Sequence, residues 1–322
     1  DGNCIEKTEH RIKELRSIAA GPLPGKSLVV YDPVLRLPVD VFPCEDGHAQ
    51  ERSLLKKVLL TIKSDDVWIA DRNFCTVEFT CGIDSQGAFF AIREHKNYPF
   101  KILEKQKYIG KVETGKVYEQ LISVMDESGQ EHTYRRIRVA LNKKTRNGDT
   151  DIYVISNLSK SVANAKKIAE LYRDRWTIET AFQYLEDHYN SEINTLGYPR
   201  AALFAFCVAL ICYIIVSVMK SALGSVYGVD VIEKQVSGYY IADEISGTYR
   251  GMMIAIDDAY WAVFRDMSSL KFSEILKELA RNIRLSAFQK HPRGPKKPRP
   301  KRKSCKNTPH VSTAKILAKR SK

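Results

Sequence analysis

Apolar positions change period several times along the chain, and each change marks a predicted element. Between residues 6 and 20, Ile12, Leu15, Ile18 and Ala19 recur at helical spacing, with Thr8 as a candidate cap, until Gly21-Pro22-Leu23-Pro24-Gly25 breaks the pattern. Residues 27–31 and 37–42 are apolar, β-branched runs joined at Asp32-Pro33, which predicts a hairpin. Residues 49–62 put Leu54, Leu55, Val58, Leu59 and Ile62 on one side of a helix. Val67-Trp68-Ile69-Ala70 reads as a short buried strand that stops at Asp71, and a short helix and a strand over 87–93 follow.

Residues 94–158 read as a β-rich block. Strands are predicted over 116–124, 133–141 and 150–158, with Asn147-Gly148 as a hairpin turn between the last two. Ile137, Val139 and Leu141 point one way and Tyr134, Arg136 and Arg138 the other, so one face is apolar and the other basic and aromatic. Helical spacing returns over 162–190. Residues 201–219 then run nineteen positions without a charge. That is long enough to span a membrane, but a helix buried on all sides reads the same way. The Cys, Ser and Tyr within it, and its isolation in an otherwise charged chain, favour the buried helix. Two or three helices reach Phe288. From Gln289 on, Pro, Lys and Arg dominate, which predicts a tail without structure when free.

This order predicts an α/β fold. Residues 1–93 form the first part of a core, 94–158 an inserted β-rich module and 159–222 the second part of the core. Residues 223–288 make a helical C-terminal region and 289–322 a basic tail.

Charge sharpens the reading of the tail. The chain has 322 residues and a formal net charge of +13, and thirteen of its 51 Lys and Arg follow Gln289 with no acid among them. The remaining 38 are matched by 38 acids, so the body is neutral and the excess sits on the tail. Lys296, Lys297, Arg299, Lys301, Arg302 and Lys303 are therefore candidate contacts to a polyanion such as double-stranded DNA. The seven cysteines form no C-x-x-C pair and His48, His95 and His188 show no ligand spacing, which argues against a disulfide framework or a zinc site. The chain begins at Asp1 with neither Met nor a signal peptide. It is expected to be a fragment with a segment missing upstream of Asp1.

Candidate chemistry rests on three acids. Asp71 ends a strand, the place where ligands collect in α/β sheets, although strands often end in Asp for structural reasons. Tyr172, Arg175, Glu179 and Glu186 share a helical stripe about 60° wide. Such a stripe is either a solvated face with an Arg175–Glu179 pair or a rigid holder of phosphate and metal. Asp1 alone carries no signal.

Taken in order, Asp1-Gly2-Asn3, Thr8-Glu9-His10-Arg11, Ala70-Asp71-Arg72-Asn73-Phe74 and Tyr172-x2-Arg175-x3-Glu179 resemble the motifs of DDE transposases of bacterial insertion sequences, the insertion-sequence-four family in particular. The likeness covers residues 1 to about 220. It departs at Glu186, where that family carries Lys.

The resemblance implies an RNase H-like core in which Asp71 and Glu179 lie 108 apart because the β-rich block 94–158 is inserted between them. It implies catalysis of DNA cleavage and strand transfer by Asp1, Asp71 and Glu179 holding two Mg²⁺, with Mn²⁺ able to substitute. Tyr172 and Arg175 would contact the DNA backbone, as would Arg136 and Arg138 on the basic face. Trp176 would pack in the core or stack on a displaced base. The inserted block has no Trp, so a base-flipping hairpin step would need Tyr98, Phe100, Tyr108, Tyr118 or Tyr134 instead. The implied partners are transposon-end and target DNA and a second copy in a synaptic homodimer, in the bacterial cytoplasm at the nucleoid, without a membrane. Competing readings are an RNase H-like nuclease that cuts without joining and a decayed, non-catalytic DNA-binding remnant.

Overall fold

The computed structural model describes residues 1–6, 21–145, 148–193, 197–290 and 310–320. The predicted helix over 6–20 with its Thr8 cap, the turn residue Asn147 and the tail residues Lys296 to Lys303 lie outside them.

The chain divides into two units. The first holds residues 1–183, 192–203 and 310–322, and the second residues 184–191 and 204–309. In the first unit, β1 (Gly2–Ile5), β2 (Pro22–Leu23), β3 (Gly25–Asp32) and β4 (Leu37–Cys44) come first. The predicted hairpin forms, with β3 and β4 antiparallel and Val29 opposite Val41. Asp32 holds its turn by accepting from the N–H groups of Val34 and Leu35. β1 adds to the far side of β3. A 3-10 turn over Glu51–Leu54 runs into the short helix α1 (Leu55–Leu59). Strand β5 (Val67–Ala70), a 3-10 turn over Arg72–Phe74, helix α2 (Val77–Ser85) and strand β6 (Phe89–Arg93) follow.

The inserted block is not a separate module. Its strands β7 (Lys101–Ile102), β8 (Lys107–Val112), β9 (Gly115–Met125), β10 (Glu131–Leu141) and β11 (Asp151–Ser156) continue the sheet of β5 and β6. The order is β5-β6-β11-β10-β9-β7, with β8 also on β9. β5 pairs with β6 in parallel and the other pairings are antiparallel. β5 is thus an edge strand and Val67 is exposed, where the sequence predicts full burial.

Helices and their apolar side chains pack on both faces of the sheet, the one bearing Tyr134 and the one bearing Ile137. On one side Phe90, Ile92, Ile122, Val124 and Tyr134 pack against Leu55 and Val58 of α1 and Phe79 and Ile83 of α2. On the other, Val117, Ile137 and Val154 pack against Ile168 and Tyr172 of helix α3 (Ala165–Asp174). A mixed sheet between helices is an α/β architecture, consistent with the RNase H-like expectation.

The helix predicted over 162–190 is interrupted at Arg175, which separates α3 from α4 (Trp176–His188). Helix α5 (Pro199–Tyr227) starts with proline at its first position and ends before Gly228, at φ 91°. Helices α6 (Val229–Gln235), α7 (Gly238–Ala255), α8 (Asp258–Trp261) and α9 (Ser269–Arg281) complete the second unit. Its core joins Val216 and Leu223 to Ile232, Ile241 and Ala280.

α5 is apolar and long enough to cross a membrane, but its burial is partial rather than all-round. Phe206, Ala209 and Leu210 are covered, whereas Phe204, Val208, Ile211 and Ile215 form an exposed stripe along one side. The tail expectation also needs correction. Strand β12 (Val311–Ser312) pairs with β2 and helix α10 (Thr313–Arg320) follows, tied by Lys315 to Asp46 at 2.9 Å. Local apolar and β-branched residues there outweigh the basic composition. The free thiols of Cys4, Cys75 and Cys81 are all raised by burial, Cys75 to about 12, which makes them inert packing residues.

One buried histidine locks the sheet to α2. The His132 ring nitrogens lie 3.2 Å from Asp84 and 3.1 Å from Asp126, so both must carry hydrogen. Burial lowers the His132 pKa, but the bonds to Asp126 and Asp84 outweigh it and the net shift is upward. A raised folded-state pKa contributes stability that is complete below the unfolded value, about 6.5, and lost as pH rises through the folded value. The melting temperature is expected to fall across that window. H132N should flatten the profile and cost about 2 kcal/mol at pH 6, the scale of hydrogen bonds to charged groups. Thermal melts of both chains from pH 5 to 9 check this, and parallel profiles count against it.

Candidate active site

Four elements of the first unit bring acids together. Asp1 stands at the start of β1, locked to β3 by the reciprocal backbone bonds Asp1 N to Val29 O at 3.0 Å and Val29 N to Asp1 O at 2.9 Å. Asp71 follows β5 in extended conformation and caps the next turn, accepting from Asn73 N–H at 2.7 Å. Glu179 lies in the first turn of α4. Glu51 opens the 3-10 turn before α1.

Arg175 joins two of them. Its Nη1 donates to Asp1 Oδ2 at 3.0 Å and its Nη2 to Glu179 Oε1 at 2.8 Å. Asp1 and Glu179, far apart in the sequence, are thus held by one guanidinium fork. The backbone tightens there, with Arg175 N–H donating to Tyr172 O at 3.2 Å and Ile178 N–H to Arg175 O at 3.3 Å. This 3-10 step between the two helices aims Arg175 at Asp1. The Arg175 side chain is 11% exposed, and its Nε is buried without a hydrogen-bond partner.

Asp71 belongs to the same electrostatic neighbourhood. The Asp1 α-amino group is pushed down to about 6, chiefly by burial, against the opposing pull of Glu51 and Asp71 and with help from Arg175. Tyr172 is raised by burial and feels both Arg175 and Asp71. Sequence reasoning missed Glu51. It faces Gly2 so closely that a Cβ there would meet its Oε1 at 2.2 Å, and its Oε2 lies 3.5 Å from Asn73 Nδ2. Beside it, Arg52 Nε donates to Asn73 O at 2.8 Å, so the turn before α1 clasps the turn after Asp71. No spacing in the sequence marks Glu51, although the small residue of Asp1-Gly2-Asn3 is the trace of its approach.

The other candidates divide. Tyr172 is buried against the sheet within hydrogen-bonding reach of Arg175, so it supports that side chain from beneath. Trp176 does not pack in the core. It is 56% exposed, with the Arg175 guanidinium 4.9 Å over its ring. Arg136 is paired with Glu94 and lies 4.0 Å over the Tyr153 ring, and Arg138 is paired with Asp151 at 2.7 Å. Both guanidiniums on the supposed DNA face are therefore neutralised within the sheet. Glu186 lies in the second unit.

The donor set is all oxygen, four carboxylates with no His or Cys, which is the chemistry that Mg²⁺ and Mn²⁺ prefer. Among the described residues, no three His, Cys, Asp or Glu side chains stand close enough to enclose an ion as arranged. Between Asp1 and Glu179 stands the Arg175 fork.

An α/β sheet with acids at one strand start, one strand end and the first turn of a helix is of the class that can offer carboxylate oxygens to hard cations at the edge of its sheet. Residues 26–215 match the family described as Transposase DDE domain, and the chain belongs to that family. The matched stretch holds Asp71, Tyr172, Arg175 and Glu179 and begins after Asp1. Among curated relatives, "Putative transposase y4zB" of Sinorhizobium fredii is 27% identical over 193 residues, covering 57% of this chain. The match spans 51% of that relative, about half its length. The family acts on DNA as nuclease and polynucleotidyl transferase.

Proposed function

We propose that this chain cleaves DNA at the ends of a mobile element and joins the freed 3′-hydroxyl to target DNA, with Asp1, Asp71 and Glu179 as the acids that hold a pair of Mg²⁺ or Mn²⁺ ions. The observation that carries the reading is the single Arg175 fork between Asp1 and Glu179, beside Asp71. Two such ions, when bound, supply an activated oxygen nucleophile and a stabilised leaving oxygen at phosphorus. The chain's own residues do the rest. Arg175, supported by Tyr172, orients the phosphate, and the exposed Trp176 offers a ring to an unstacked base. Lys296, Lys297, Arg299, Lys301, Arg302 and Lys303 add sequence-blind, salt-sensitive affinity for duplex DNA. Arg136 and Arg138, paired with Glu94 and Asp151, would add backbone contacts only on exchanging those partners for phosphate. The working form is a homodimer that pairs two element ends, in the bacterial cytoplasm at the nucleoid and away from membranes.

Two assays with the full chain test this. In Mg²⁺ or Mn²⁺ it should nick supercoiled plasmid, and it should insert a short duplex bearing a free 3′-hydroxyl end into a target plasmid. D71N should abolish both without weakening DNA binding. Cutting without insertion would replace the reading with that of an RNase H-like nuclease. DNA binding with neither reaction would leave a non-catalytic remnant.

A further inference from the structure

Arg175 bonds two acids of this site, Asp1 and Glu179, while Glu51 and Asp71 stand on adjoining turns that Arg52 and Asn73 tie together. A buried arginine nitrogen is usually hydrogen-bonded, and the described residues hold two exceptions, Arg135 Nη2 and Arg175 Nε. At Arg175 the Nε is buried and unpartnered, while both Nη atoms go to carboxylates that the proposed reaction needs for a metal. The residue also sits at the 3-10 step between α3 and α4, with the exposed Trp176 ring on one side of its guanidinium and the buried Tyr172 ring on the other.

We propose that Arg175 is a resident counter-ion that closes the metal-free site and competes with divalent cations for Asp1 and Glu179. This rests on the functional reading above and adds a means of regulating the same site. With the guanidinium in place, the carboxylates lie together without repelling each other and cannot enclose an ion. When a cation takes the carboxylates, the fork is released beside Trp176 and turns to the strongest remaining anion, a DNA phosphate. Metal and DNA then favour each other, and the free protein is kept from cutting.

The test is direct Mn²⁺ binding to the DNA-free full chain, read as loss of the free-ion electron paramagnetic resonance signal. R175A should bind Mn²⁺ about tenfold more tightly than wild type, as expected if the unblocked state is populated about a tenth of the time. R175K keeps the charge but not the fork, so it too should bind more tightly. Tighter binding by R175A alone would mean that the charge rather than the fork blocks the site and still supports the competition, whereas equal or weaker binding by both would overturn the proposal. E179Q separates this from failure of the functional reading. If E179Q binds Mn²⁺ like wild type, the metal site is not here. If E179Q binds weakly while the Arg175 variants match wild type, the site stands and the competition does not. Should the Arg175 variants fail to fold, arginine side-chain nuclear magnetic resonance on wild type decides. Added Mg²⁺ should move the Arg175 Nε–H signal from slow to fast solvent exchange, and an unmoved signal overturns the proposal.

Discussion

E179Q is expected to lower metal-dependent DNA cleavage by about a thousandfold or more, equivalent to about 4 kcal/mol in the barrier, while leaving the fold intact. The substitution keeps the shape of the side chain and removes the charge that a hard cation needs. The structural cost is small. Glu179 is 39% exposed and its pair with Arg175 lies one helical turn apart, a geometry that contributes about 0.5 kcal/mol or less. A purely structural Glu179 would give the opposite result, a shifted melting temperature with cleavage reduced only in proportion to unfolding. Cleavage rates and thermal melts of the same preparation separate the two. Cleavage by E179Q within tenfold of wild type would remove Glu179 from the catalytic set.

Much of the fold and part of the site were legible in the sequence. Alternation gave the long strands β9, β10 and β11, and the Pro-Asp-rich turn gave the β3–β4 hairpin, because strand period and turn chemistry are local properties. The acids at Asp71 and Glu179 were visible through motif spacing. What failed was non-local. Nothing in residues 94–158 states which strand β11 will choose as a neighbour, so its pairing with β6, which merges the block into the core sheet, could not be read. Glu51 reaches the site only because its turn clasps Asn73. The exposed flank of α5 was unreadable for a related reason, since an apolar window carries no information about how many sides find partners. Alternation placed Arg136 and Arg138 on one side of β10 but could not report their partners Glu94 and Asp151, which come from other strands and loops.

Arg135 was hidden in plain view by the same alternation. It shares the register of Ile137 and Val139, the apolar face, and a charge at such a position signals a buried partner. The partner is Glu119 on β9, and both side chains are under a tenth exposed. Arg135 Nη1 also donates to Leu158 O at 2.7 Å and Ala163 O at 2.6 Å, which fastens the segment leading from β11 into α3, the helix that delivers Tyr172 and Arg175 to the site. Truncation to R135M is expected to cost about 3–5 kcal/mol, because it leaves Glu119 charged and buried with only Lys160 Nζ, 3.7 Å away, in reach, and two carbonyls lose their donor. The double variant R135M/E119L removes the orphaned charge and should recover most of that loss, since an apolar replacement of a whole buried pair is often close to neutral. Its activity should stay low, because the carbonyls of Leu158 and Ala163 remain unheld and α3 is no longer fixed in place. Denaturant unfolding of the wild type, both singles and the double completes the cycle. Additive losses in the double would mean that Arg135 acts through the two carbonyls alone and that Glu119 contributes nothing to holding it.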